Sequence, residues 1–395
     1  MSTIHNRPIQ DLMPKNVTRH IDPKTERELW GRAAARCEFS DCNRLLYKSP
    51  VTQERVNIAQ RAHIYSFATD GPRGRGPFKK KPGGLNKLGN LMLVCYDCHK
   101  KIDQDKKGVR YSAELLKAWK EAHEMRVRIV TGISPNKKSN VILFGSKIGE
   151  DRSPLQYEAA VQAMFPGHYP AEERPINLSM RSADDDSMPE YWAAEARNLE
   201  KEFDRQIRGR LDEPGPLHFS VFAFAPQPLL IHLGALLTDK LDVAVYQLHR
   251  TPKTWQWQPH PDGFSFRVNE PQDRTGAPVL VFSLSAQIAR ERVSSVLSGK
   301  LSIWEVTIDQ PHNDFLQSDA QLSMFRNLAP RLMATITAAH PDLTELNIFP
   351  AMPLSCAVEL GRIRMPKADP RWVIFDQNNK HQRFIPALTI GDTNE

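Results

Sequence analysis

The chain has 395 residues, 40% hydrophobic and 25% charged, enough for roughly two or three domains with buried cores. No window approaches the roughly 18 apolar residues of a spanning helix. Met1–Gln10 has no apolar run of the signal type, so an integral membrane protein is excluded and a cytoplasmic one is expected.

Charge is uneven. The net is +7, yet residues 1–138 hold 28 Lys and Arg against 14 Asp and Glu, and residues 139–395 hold 25 against 32. A basic front suited to nucleic acid precedes an acidic rear.

In chain order, residues 1–21 show no period and read as a loose arm. Asp22-Pro23 is an N-cap with Pro at the first helical position, and Leu29, Trp30, Ala33 and Ala34 carry a helix toward Arg36. Two cysteine pairs follow, Cys37-x4-Cys42 and Cys95-x2-Cys98. Close pairs far apart in sequence suit a tetrahedral zinc site better than a disulfide framework in a chain of this length. Cys356 reads as a core residue. Val51–Ile64 contains a weak strand signal. Gly71–Gly84 (GPRGRGPFKKKPGG) reads as an irregular loop, with Arg73, Arg75 and Lys79–Lys81 available to phosphates. Leu91–Val94 leads into Cys95. Ser112 caps a helix with Leu115, Leu116, Trp119, Ala122 and Met125 on one face, running to about Val130.

Residues 132–154 read as a linker. Beyond it, His218–Ala225, Leu241–Leu248, Val279–Leu284, Ser302–Ile308 and Leu343–Phe349 read as strands, with a helix over Phe315–Ala339 and a charged, exposed helix within 181–213. Strands alternating with helices predict a mostly parallel sheet. Phe224-Ala225-Pro226-Gln227-Pro228-Leu229 leading to Leu233-Gly234 is echoed by Phe349-Pro350-Ala351-Met352-Pro353-Leu354 leading to Leu360-Gly361. The echo predicts two related halves.

Hydrolysis of a phosphodiester needs an aligned, deprotonated water and a cation for the charge that builds on phosphate. Histidine suits the base because its pKa lies near neutrality. Ala62-His63-Ile64, Asn90-Leu91 and Cys95-x2-Cys98-His99, together with Cys37 and Cys42, resemble the HNH endonuclease family in its zinc-containing ββα-metal form. The resemblance covers roughly Leu29 to Asp103. It implies His63 as general base, Asn90 as the residue holding the loop that orients His63, and His99 as a ligand of a catalytic divalent cation such as Mg²⁺. The zinc on Cys37, Cys42, Cys95 and Cys98 would be structural, since four thiolates leave no open position. Ala62 stands where many of these enzymes carry an acidic metal ligand. Asp97 and Asp103 compete for that role, and Asn86 competes with Asn90.

The segments His218–Gly234, Arg250–Trp257 and Asn347–Pro366 resemble the SAVED domain of bacterial anti-phage CBASS systems. That resemblance implies two fused CARF-like, Rossmann-like units that sense a cyclic oligonucleotide. The chain is thus expected to hold an α+β HNH domain at 1–131 and an α/β SAVED domain at 155–395. It would act as a metal-dependent endonuclease on double-stranded DNA, switched on by a cyclic di- or trinucleotide through homo-oligomerisation, dimer to tetramer. Ligand residues expected at strand ends are Pro226, Gln227, Arg250, Trp255, Trp257, Ser285, Met352 and Ser355, with Gln287 beside them. Two other readings remain: a constitutive restriction-type HNH enzyme whose rear reads DNA, and a non-catalytic zinc scaffold that binds nucleic acid.

Overall fold

A computed structural model describes residues 20–80, 82–146, 155–179, 188–211, 217–378 and 380–391. Most of the expected N-terminal arm, and Lys81, lie outside these. The chain divides into two units, Met1–Ile133 and Ser134–Glu395.

In the front unit, the Asp22 carboxylate accepts from the Lys24 and Thr25 amides at 3.0 and 3.1 Å, opening helix α1 (Pro23–Arg32). The helix stops short of Arg36 because Ala34 and Ala35 take positive φ, 49° and 54°. Strand β1 (Ala59–His63) pairs antiparallel with β2 (Leu91–Cys95), Ala59 opposite Cys95 and His63 opposite Leu91. All five residues of β2 are buried, and helix α2 (Tyr96–Gln104) follows without a loop. Ser112 caps helix α3 (Ala113–Thr131) by accepting from the Leu115 amide. The face expected to be buried on α3 is displaced: Leu115 and Met125 are 37% and 48% exposed, while Leu116, Lys120 and His123 are buried. Polar groups fill that seam, because Lys120 reaches Glu38 at 3.6 Å and His123 Nε2 lies 3.0 Å from the Ala33 carbonyl.

The glycine-rich segment is not a featureless loop. It holds short 3₁₀ turns at Gly76–Phe78 and Pro82–Gly84. It also packs down, since a Cβ at Gly76 would lie 2.3 Å from the Tyr65 ring.

The rear unit starts earlier than composition indicates. Residues 138–145, expected within a linker, form strand β3 (Lys138–Gly145), whose polar start hides the apolar run behind it. Residues 147–154 of that expected linker lie outside the described set. After helix α4 (Tyr157–Met164) come β4 (Tyr169–Pro170) and β5 (Ile176–Asn177), both paired with β3. Helix α5 (Pro189–Phe203) continues through a π turn at Asp204–Arg208 into α6 (Gly209–Leu211). It is not a solvated helix, because Tyr191, Trp192, Leu199, Phe203 and Ile207 enter the main core. Strand β6 (His218–Phe224), helix α7 (Gln227–Leu237) and strand β7 (Asp242–Tyr246) complete the first, all-parallel sheet, in the order β4-β3-β6-β7 with β5 also on β3.

The second sheet comprises β8 (Arg267–Asn269), β9 (Ala277–Ser283), β10 (Leu301–Thr307), β11 (Glu345–Ala351), β12 (Arg371–Asn378) and β13 (Arg383–Ile390). Its order is β13-β12-β11-β9-β10-β8, with a parallel centre and antiparallel edges. Its helices are α8 (Arg290–Ser294), α9 (Asp319–Ala339), opened by a Ser318–Gln321 capping box, and α10 (Leu354–Arg362). Cys356 is buried in the core as expected. The five strands read from the sequence correspond to β6, β7, β9, β10 and β11. No helix among the described residues is long and apolar enough to cross a membrane.

The echoed segments are the β6–α7 and β11–α10 turns, and they meet. A Cβ on Gly234 would lie 2.0 Å from the Val358 carbonyl oxygen, and one on Gly361 1.8 Å from that of Ile231. Each helix brings its bare glycine against the other's backbone, so α7 and α10 are reciprocal partners.

Candidate functional site

The Sγ atoms of Cys37, Cys42, Cys95 and Cys98 all lie within 4.8 Å of one another. None is in a disulfide, and Cys42 and Cys95 stand 3.9 Å apart. Ligands about 2.3 Å from a tetrahedral zinc are separated by roughly 3.8 Å, so the donor set fits. The first knuckle is anchored to β2: Glu38 accepts from the Leu93 amide at 2.6 Å, and the Cys95 amide donates to Cys37 Sγ at 3.3 Å. Hydrogen bonding from Cys98 pulls the Cys37 thiol down to about 6 and pushes Cys98 up. Burial raises Cys42. Four thiols this close cannot all ionise without a cation among them.

The hairpin and helix place His63 at the end of β1, Asn90 just before β2 and His99 in the first turns of α2. Asn90 is 1% exposed. Its Oδ1 accepts from the Tyr65 amide at 2.8 Å, and its Nδ2 donates to the carbonyls of Tyr65 and Leu85 at 3.0 and 2.9 Å. A side chain so committed ties the residues after His63 to the turn before β2. Asn86, the competing asparagine, instead lies on the histidine: His63 Nε2 is 2.9 Å from Asn86 Oδ1. An amide oxygen accepts, so in this bond the His63 Nε2–H is the donor. His99 Nε2 faces Asp103 at 3.6 Å, and Asp97 pairs instead with Arg44 at 2.8 Å. Arg73, expected on phosphate, turns inward: its guanidinium donates to main-chain carbonyls, 2.5 Å from Ile64. Arg75 donates to the Phe67 carbonyl at 3.1 Å. His63 and Asn86 are 23 residues apart, and Arg44 and Asp97 are 53 apart, so no local signal marked those pairings.

In the rear unit the C-terminal strand ends of the two sheets meet. Pro226 precedes α7, Gln227 Oε1 accepts from the Met352 amide at 3.3 Å, and the Ser285 amide donates to Ala351 at 2.7 Å. Ser355 is buried, and both its amide and hydroxyl donate to Gln247 Oε1, at 3.1 and 2.9 Å. Gln247 closes this junction and was missed in the sequence. Three of the expected ligand residues are buried. Trp255 is 3% exposed and meets Phe222 edge-on at 5.3 Å, so it is a core ring. Met352 is buried in the main core, and the Ser355 hydroxyl is already used. Trp257 is half-buried over Tyr246. Arg250 is exposed, and its amide donates to Asp314 at 3.0 Å.

Residues 199–390 match the family model of the SMODS-associated and fused to various effectors sensor domain, SAVED. The matched stretch runs from the end of α5 to the end of β13, within the rear unit. No curated protein matches the chain. Among solved structures, the chain is similar to the Acinetobacter baumannii Cap4 SAVED/CARF-domain containing receptor with the cyclic trinucleotide 2'3'3'-cAAA. Identity is 11%, TM-score 0.42, covering 75% of this chain and 66% of that one. It is also similar to the Moraxella osloensis Cap4 receptor at 10% identity, TM-score 0.39, covering 74% and 64%. The chain thus spans slightly less than two thirds of each of those proteins.

Proposed function

We propose that the chain is a cyclic-oligonucleotide-gated DNA endonuclease of anti-phage defence, acting in the cytoplasm. The observation that carries this reading is the sensor-domain match of residues 199–390 in one chain with a front unit whose β1, β2 and α2 bear His63, Asn90, His99 and the second cysteine pair. A sensor with that family description is fused to effectors, and the front unit offers the chemistry of one.

In this reading His63 accepts the proton of the attacking water, a role worth about 10²–10⁴ in rate. Asn86 fixes its tautomer and Asn90 holds the chain that follows it. Cys37, Cys42, Cys95 and Cys98 hold a zinc that ties the first knuckle to the start of α2. Among the described residues they are the one group of three or more His, Cys, Asp or Glu that converges. A catalytic cation at His99, with Asp103 beside it, would therefore draw its remaining ligands from water and DNA phosphate, as Mg²⁺ commonly does. When bound it would stabilise charge on the phosphate. In the rear unit a cyclic di- or trinucleotide would bind at the strand-end junction that carries Gln227 and Ser285, with Arg250 and Trp257, which follow β7, as further candidates. Turning a mostly inactive enzyme mostly active requires about 5.5 kcal/mol of differential binding, and assembly of copies on the ligand would contribute.

The test is plasmid cleavage in Mg²⁺ against a panel of cyclic di- and trinucleotides, beside His63→Ala. Cleavage with one ligand and none from the variant supports the reading. Cleavage without ligand overturns the gate, and cleavage by His63→Ala overturns the base.

A further inference from the structure

We propose that Arg73 is a positioning residue that clamps the element bearing His63 to the element bearing His99. The inference rests on the nuclease reading above for its consequence, though the clamp itself stands on geometry. Arg73 Nε donates to the Ile64 carbonyl at 2.5 Å, and one terminal nitrogen lies 3.5 Å from the His63 carbonyl. The other donates to Ile102 at 3.3 Å and to Tyr111 at 3.4 Å. One planar cation thus gathers the end of β1, the last turn of α2 and the segment leading to α3. Its own amide donates to Lys106 at 3.2 Å. Asp105 stiffens that segment by accepting from the amides of Val109, Arg110 and Tyr111.

Two features show that the side chain, and not the turn, is what this position needs. Arg73 has φ +61°, a left-handed conformation that glycine adopts freely and arginine does not. Gly108, at φ +68°, cradles the arginine stem, and a Cβ there would lie 2.6 Å from Arg73 Cγ. Burial also lowers the guanidinium's pKa. A surface phosphate ligand needs none of these arrangements. Lysine cannot substitute, because its three donors radiate from one nitrogen while guanidinium spreads five over a plane.

The experiment compares Arg73→Gly and Arg73→Lys with wild type in the full chain. Plasmid cleavage is measured under activating conditions, and amide exchange is followed over residues 63–66 and 103–111. We expect kcat to fall about 100-fold in both, since misplacing reacting groups by an ångström costs that much. KM should stay within about twofold and the salt dependence unchanged, and millimolar guanidinium should recover part of the Arg73→Gly loss. Exchange should quicken in both segments. Wild-type kcat in Arg73→Gly or Arg73→Lys overturns the clamp. So does a loss confined to KM with a salt slope smaller by about one, the mark of a phosphate contact. If Arg73→Gly does not fold, Arg73→Lys alone decides. If wild type cleaves nothing, the nuclease reading fails, and exchange still tests the clamp: unchanged protection in both segments overturns it.

Discussion

Alanine at Gly234 tests how the two halves of the rear unit are joined. The new Cβ would lie 2.0 Å from the Val358 oxygen and 2.9 Å from the Arg362 nitrogen. Both are backbone atoms, so no rotamer change relieves the overlap. Restoring ordinary contact requires α7 and α10 to part by roughly 1.3 Å. Overpacking of this kind costs about 1–3 kcal/mol, and a rigid backbone on both sides places it near 3. Alanine's better helix propensity returns about 1 kcal/mol, leaving about 2. For a unit of this size each kcal/mol moves the melting point by about 2–4 °C, so calorimetry should show the rear transition falling by roughly 4–8 °C. Gly361→Ala should behave alike, and the double variant should lose less than the sum, because helices already parted admit the second methyl. Gln227 and Ser355 ride on these helices, so ligand affinity should fall with them. An unchanged melting point, or losses that add fully, would refute the reasoning.

Three further outcomes follow from the geometry. Purified protein should carry about one zinc per chain, and Cys98→Ser should lose it while melting only the front unit, as metal analysis with calorimetry will show; a metal-free wild type of equal stability contradicts the site. Trp255→Ala should cost about 3–5 kcal/mol as a core deletion, whereas Trp257→Ala should cost distinctly less, a contrast read from denaturant midpoints. His218, whose ring stacks on His168 at 3.9 Å, is held down to about 4, first by burial and then by His168. Its folded pKa lies below its unfolded value, so only the unfolded chain takes the proton between about pH 6.5 and 4. Stability is therefore full above that window and declines by roughly 3 kcal/mol as pH falls through it. His218→Asn should flatten that decline in denaturation curves measured from pH 7 to 4.

Helix caps, strand runs and cysteine spacing were legible because each depends on residues close in sequence. Asp22 and Ser112 start their helices through bonds to amides two or three positions on, and five of the rear unit's strands, β6, β7, β9, β10 and β11, announce themselves as apolar runs. The edges of each were less legible: β3 begins Lys-Ser-Asn, and only its place between β6 and the short β4 and β5 explains its burial. The amphipathic face of α3 was misassigned because Lys120 and His123 are buried by polar partners rather than by apolar ones.

What the sequence by itself determined is the chemistry on offer: four thiols in two knuckles, a histidine directly after the second, and a repeated strand–proline–helix turn leading to a glycine. Tertiary structure decided how each is used. Two asparagines four residues apart competed for one role, with Asn90 preferred for directly preceding the apolar run into Cys95; Asn86 meets the His63 ring and Asn90 the Tyr65 backbone. Arginines in one glycine-rich segment looked alike, yet Arg73 is drawn inward by carbonyls from three other segments. Trp255 and Trp257 were expected to face opposite sides, and the folded chain decides which is inward: Trp255 is buried and Trp257 half-buried. In each case the deciding partner lies many residues away, and only the folded chain brings its hydrogen-bonding groups or apolar surface within reach.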